Sequence, residues 1–188
     1  MKKHLKHSLI TGVTTFVISV LINFSSNAVL EFSPLAVSFI LLFFIVLLGI
    51  AFDIVGTAAA SGEEDPFHAM ASDKIVGAKH SIWLVRHADR VASFSNDVVG
   101  DIAGTISGAI AAAIVFRLAL SNPQIRESIA NTLLIGLVAA ITVGGKAYAK
   151  SFAIKRSTEI LYVVGRVLYA LEKAGLRIVK TDKAKNRK

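Results

Sequence analysis

Residues 35–52 read LAVSFILLFFIVLLGIAF, eighteen consecutive residues without a charge. The run continues to Ala60 with Asp53 as its one ionisable group. A helix of that composition has no polar side to turn toward water, whereas about 20 mostly apolar residues cross a bilayer. Inside hydrocarbon every backbone N–H and C=O must be satisfied internally, which leaves an α-helix or a closed barrel. The run does not alternate apolar and polar residues, so a helix is the reading, and the rest of the chain has to fold around it.

Three further stretches qualify or come close: Ser8–Val29, Asp97–Leu120 and Ile129 to about Tyr148. Two of the connections are short (Glu31–Pro34 and Ser121–Ser128), while Ser61–Asn96 is long and charged. The predicted fold class is therefore an all-α membrane protein of three to four transmembrane helices. It carries a cytoplasmic helical hairpin at 62–95 and a C-terminal amphipathic juxtamembrane helix at 156–178. The basic tail at 179–188 is expected to be disordered.

The first stretch has two readings. MKKHLKH, an apolar run and then Ser26-Asn27-Ala28 have the three-part shape of a secretory signal peptide. The apolar run is nearly long enough to span, which favours an uncleaved signal anchor over residues 1–30.

Sidedness follows from lysine and arginine. The N-terminal tail holds three, the 61–96 connection four, and the chain from Lys146 onward twelve, against Arg117 and Arg126 on the other side. Cytoplasmic flanks carry the excess, so both termini and the long connection are expected in the cytoplasm. The net charge of +8 is then a positive-inside signal lying against anionic lipid, and nucleic acid is not an expected partner. Absence of cysteine removes disulfides, thiolate chemistry and Cys-type zinc sites. In STEILYVVGRVLYALEKAGLRIV, Ile160, Leu161, Val164, Val167, Leu168 and Leu171 recur at helical spacing. Arg166, Glu172 and Lys173 interrupt them, as in a helix lying on a membrane surface.

Asp97 and Asp101 are the most informative residues, because a carboxylate in a span is costly and needs a reason. At roughly 100° per residue, Gly100, Gly104 and Gly108 fall in one arc with Asp97, Asp101, Ser93 and Ser107. Val98, Val99, Ile102, Ile106 and Ile110 take the opposite side. Glycines four apart let another backbone approach closely, so the glycine face is expected to pack and the isoleucine face to meet lipid. Asp53, Lys146 and Lys150 belong at the same cytoplasmic depth. Two readings stay open: the carboxylates pair with lysine and fix helix register, or they hold a hard divalent cation such as Mg2+.

The order of motifs from Ala58 to Gly104 resembles the transmembrane domain of the CNNM/CorC (CorB) magnesium transporters. In that family an apolar helix ends in Ser-x-x-Glu, a basic helix-turn-helix follows, and the next span opens on an Ile-Gly-Asn motif. Ser61 and Glu64 match the first motif, and Val99-Gly100-Asp101 stands where Ile-Gly-Asn would be. GGKAYAK at 144–150 is similar to the family's Glu-x-x-Pro-Lys ending, with Lys146 on the lysine but Thr142 and Gly145 in place of Glu and Pro. The similarity covers about residues 35–175, with 31–155 as the transmembrane domain. It implies Mg2+ or another divalent cation as transported ion, with Ser61, Glu64, Asp97, Asp101 and Asp53 as the metal-binding set. It also implies a bacterial plasma-membrane homodimer, and a separate regulatory partner in place of the family's CBS domains.

Other candidates carry less. His80 and His87 lie seven apart without a ligand-spaced partner, and His68 follows Glu64 by four residues across Pro66. GEEDP at 62–66 reads as a solvated helix start or as the mouth of an ion path. Trp83 reads as an interfacial anchor. No Ser/His/Asp grouping, phosphate loop or catalytic acid pair is evident, so an enzyme is not expected. The rival reading is a non-transporting membrane protein whose Asp and Lys groups only hold helices together.

Overall fold

The computed structural model describes residues 9–10, 12–24, 33–122 and 126–176 of the 188. All regular structure among them is helical: α1 (Gly12–Phe24), α2 (Leu35–Ser61), α3 (Asp65–Ser72), α4 (Ala78–Arg86), α5 (Ala88–Ala92), a π-helical segment (Ser93–Gly100), α6 (Asp101–Ser121), α7 (Glu127–Lys155) and α8 (Ser157–Lys173). Among the described residues three helices are long and apolar enough to cross a membrane: Leu35–Ser61, the continuous helical run Ala88–Ser121, and Ser128–Lys155. The described part of the first stretch, Gly12–Phe24, is a shorter apolar helix. The flanks of the expected first span, the possible cleavage site and the basic tail at 179–188 lie outside the described residues.

The chain divides into two compact units, one from 1–52 with 96–148, the other from 53–95 with 149–188. In the first, the core is built on one face of α6. Ile102, Ile106, Ile110 and Ile114, together with Ala103 and Ala111, pack with Leu42, Ile45 and Val46 of α2 and Val138 of α7. This reverses the expected faces of α6, because the isoleucines are buried inside the protein rather than turned to lipid. Gly104 and Gly108 open onto space, with nothing within 4 Å of where a Cβ would stand. Lipid tails are as apolar as isoleucine, so burial alone does not choose a face. Close van der Waals fit chooses it, and a row of β-branched side chains four apart forms a continuous ridge for α2.

Glycine still serves packing, one layer away. A Cβ on Gly49 would stand 3.0 Å from Ala103 Cβ and 3.9 Å from the Gly100 carbonyl oxygen, so α2 and the start of α6 cross there in close approach. Gly145 of α7 faces the same level of α2, where a Cβ would meet Ile50 Cδ1 at 2.5 Å. Toward the other end, Arg117 donates from Nη2 to the Ser33 carbonyl oxygen at 2.7 Å and from Nη1 to Ser38 Oγ at 3.3 Å. That arginine ties the last turns of α6 to the first turn of α2.

The second unit is a helical cluster around Phe67, Leu84 and Leu161, with Ala58, Ala59 and Ala153 completing it. α3 and α4 pack on each other, and α8 packs on both. Pro66 opens α3, where its missing N–H is not needed. The turn between α3 and α4 uses two left-handed residues, Lys74 (φ 58°) and Gly77 (φ 92°). Ser81 Oγ donates to the Leu161 carbonyl oxygen at 2.9 Å, drawing α4 onto α8. The tight point is Gly165, where a Cβ would stand 2.7 Å from the Gly77 carbonyl oxygen and closer still to Ser81 Oγ. Ile160, Leu161, Val164 and Leu168 all face this cluster. Most of the apolar stripe expected to rest on a membrane is therefore spent on this cluster, and of its members Val167 stays exposed.

Candidate functional site

Asp97 and Asp101 are exposed in the first unit. Asp97 sits in the π-helical segment and Asp101 is the first residue of α6, so the two follow one another along the entry to the span. Thr105, one turn on, is exposed as well, and its hydroxyl donates to the Asp101 carbonyl oxygen at 3.0 Å. Gly104 and Gly108 adjoin this stripe. The side of α6 that carries the carboxylates is thus the open one, and the small residues leave room beside them. Asn96 adds a feature that sequence reasoning missed: its Oδ1 is buried, and no donor among the described residues reaches it. A π-helical turn with polar residues is its local setting. Nothing in a composition or periodicity reading marks where a helix will wind i→i+5 rather than i→i+4.

Ser61, Glu64 and Asp53 belong to the second unit. Asp53 is 4% exposed on α2. Ser61 closes α2, and its hydroxyl donates back to the Thr57 carbonyl oxygen at 2.9 Å. Glu64 is already engaged. Its Oε2 accepts from Arg86 Nε at 2.9 Å and from His68 Nε2 at 3.0 Å. The hydrogen bond from His68 foremost, then that from Arg86, holds the Glu64 carboxyl below its ordinary value of 4.5. Glu64 therefore clasps the start of α3 to the end of α4, as the four-residue spacing to His68 suggested, with Arg86 as the unforeseen partner.

Among the described residues, no three His, Asp or Glu side chains come together as a metal-holding group. The donor chemistry that is present is all oxygen, two carboxylates along one helix entry. That suits a hard cation retaining several waters better than a fully protein-ligated one.

Two more polar contacts escaped the sequence reading. His80 is buried, donates from Nε2 to Glu172 Oε2 at 2.7 Å and meets the Tyr169 ring edge-on at 5.9 Å between centroids. The residues lie 92 apart in sequence, so only the packing of α4 on α8 pairs them. His87 stacks on Trp83 at 4.5 Å and donates from Nδ1 to the Trp83 carbonyl oxygen at 2.9 Å, ending α4. Both histidines are occupied in holding helices.

Compared with family models, curated proteins and solved structures, the chain matches none of them.

Proposed function

We propose that this chain is a multi-pass membrane protein resembling the CNNM/CorC transmembrane domain, and that it binds hydrated Mg2+ and mediates its passage across the plasma membrane. The observation that carries the reading is the stripe at the entry to α6. Asp97 and Asp101 lie uncovered in the first half of Ala88–Ser121, a helical run long and apolar enough to span, with open Gly104 and Gly108 beside them. Magnesium is usually held by one or two carboxylates while keeping most of its water shell. Asp97 and Asp101 would supply the charge, and Asn96 Oδ1, buried without a donor among the described residues, is an unused acceptor next to Asp97 in the chain. Thr142, whose hydroxyl donates to the Val138 carbonyl oxygen at 2.8 Å, brings no charge where the family has Glu, so the aspartates bear the electrostatic role alone.

In this reading the lysine- and arginine-rich flanks put the 61–96 segment and the C-terminus in the cytoplasm. Ion capture at Asp97 and Asp101 is then on the cytoplasmic side. The test is calorimetric titration of Mg2+ into the full chain in detergent, for the wild type, Asp97→Asn and Asp101→Asn. Saturable binding weakened in both variants supports the reading. A wild type that does not bind, or variants that bind unchanged, sinks it.

A second reading is favoured by one observation, the engagement of Glu64 by Arg86 and His68. If the family's Ser-x-x-Glu motif serves as a clasp here, the chain can be a structural or recruiting membrane protein without transport. Asp101→Asn would then alter thermal stability and leave Mg2+ behaviour untouched.

A further inference from the structure

The second unit keeps an outward surface that its core does not explain. With Ile160, Leu161, Val164 and Leu168 turned inward, α8 still presents Val163 and Val167 at 59% and 53% exposure, four residues apart on its outer face. Arg166, exposed, lies between them in the chain, and Lys173, also exposed, ends the helix. The turn between α3 and α4 presents Ile75 and Val76 at 39% and 50% exposure. Turns at a protein surface favour Gly, Pro, Asn, Asp and Ser, so two branched aliphatics at an exposed tip need an environment of their own. Lys74 and Lys79 bracket them, with Asp73 at the start of the turn, and all three are exposed. Gly77 joins the two features, because a Cβ there would stand 2.8 Å from the Arg166 backbone nitrogen. The tip of the turn thus borders the middle of α8.

We infer that this surface, Ile75 and Val76 with Val163 and Val167, docks on the anionic headgroup region of the bilayer. The inference rests on the reading that the spans anchor the chain in that bilayer. Aliphatic side chains ringed by cations match a lipid interface, where the chains enter the headgroup boundary and the cations meet lipid phosphate. A protein partner fits less well. Four aliphatic side chains fall far short of the roughly 800 Å2 per partner that a stable protein interface buries. A membrane demands little affinity, since both ends of the α3–α4 segment and the start of α8 continue from candidate spans. Tethering makes docking effectively intramolecular. The membrane-facing part of α8 is then its Val163–Val167 side, which shares only Val167 with the stripe that periodicity marks.

The chain has no cysteine, so single-cysteine variants label cleanly. An environment-sensitive fluorophore is placed at Val76→Cys and Val163→Cys. Ala69→Cys, exposed on α3, serves as an aqueous reference and Leu133→Cys, in the α7 span, as a hydrocarbon reference. Each full-length variant is reconstituted in phosphatidylcholine vesicles and in vesicles of equal parts phosphatidylcholine and phosphatidylglycerol. The expected result is blue-shifted emission and protection from aqueous iodide at Val76→Cys and Val163→Cys in the anionic vesicles alone. Lys74→Gln or Lys79→Gln should each weaken that docking about fivefold. Three results overturn the inference. Both labels aqueous in both vesicle types, with the Leu133→Cys label apolar, leaves the spans standing and removes the docking. Equal protection in neutral and anionic vesicles assigns the surface to a protein contact. An aqueous Leu133→Cys label removes the anchoring, and the docking with it.

Discussion

Gly165 shows how much a single position can decide. The carbonyl oxygen of Gly77 and the hydroxyl of Ser81 occupy the space that any side chain at 165 would need, and both belong to the N-terminal end of α4. Neither is the far end of a flexible side chain, since one is backbone and the other is held by the Leu161 carbonyl oxygen. Gly165→Ala should therefore lower stability by about 1–3 kcal/mol, as overpacking does, despite the helix propensity that alanine adds. Thermal unfolding of the full chain in detergent, followed by circular dichroism, measures it. Gly136→Ala, with nothing within 4 Å, should be neutral or slightly stabilising in the same assay. Glu64 yields a prediction of a different kind. Its folded-state carboxyl is lowered, so the clasp's contribution is fully present above the ordinary value of 4.5 and is lost as pH falls through the lowered one. Amide exchange at the start of α3 should rise on acidification below about pH 4.5 in the wild type. In Glu64→Gln it should already be raised at neutral pH and change little with acid. At this scale the sequence was legible only where spacing is local. Glu64 and His68, four apart, could be paired by eye, whereas Gly165 with Gly77, or His80 with Glu172, depend on a crossing that no local pattern encodes.

α6 marks the limit of periodicity among the elements. A helical wheel separates Ile102, Ile106 and Ile110 from Asp97, Asp101 and Gly104 as the structure does, but Gly100 and Ser107, which it puts on the small polar side, are buried with the isoleucines. What the wheel does not contain is which side meets the rest of the chain. In water the apolar side would turn inward without question. In a span both sides are tolerable to lipid, and the outcome rests on how well Ile102, Ile106 and Ile110 fit Leu42, Ile45 and Val46. A contrast of two glycines tests this assignment. Gly49→Ala places a methyl 3.0 Å from Ala103 Cβ at a backbone crossing and should destabilise by about 1 kcal/mol or more. Gly104→Ala meets nothing and should be neutral or stabilising by up to about 1 kcal/mol. Equal losses in both would mean that the Gly104 side is covered in the working protein. α8 repeats the lesson, because its stripe of Ile160, Leu161, Val164, Val167, Leu168 and Leu171 was evident from spacing, while the inward packing of four of them and the exposure of Val167 were not. The π-helical winding before Asp101 had no sequence signal at all.

For the whole molecule, class was the most legible property, because a run such as Leu35–Phe52 leaves so few alternatives. Charge placement then carried sidedness as an expectation, and the order of short motifs carried the resemblance to the magnesium transporters. The candidate site was legible in part. Asp97 and Asp101 lie uncovered at one helix entry, whereas their spacing beside the glycines led to the expectation of a packed face, and Glu64 is taken up by Arg86 and His68. If passage of Mg2+ depends on the entry to α6, the aspartates and Glu64 must separate in a flux measurement. In liposomes loaded with a Mg2+-sensitive dye, Asp101→Asn should reduce the initial rate about 10- to 100-fold. That is the factor expected from losing one charge-assisted contact of about 1.5–3 kcal/mol. Glu64→Gln, which releases Arg86 rather than an ion, should reduce it far less and mainly by loosening α3. A Glu64→Gln variant as inactive as Asp101→Asn would restore Glu64 to the ion path. It would make the Arg86 contact a resting state that the cation displaces. Flux equal to protein-free liposomes in the wild type would leave the carboxylates a packing role alone.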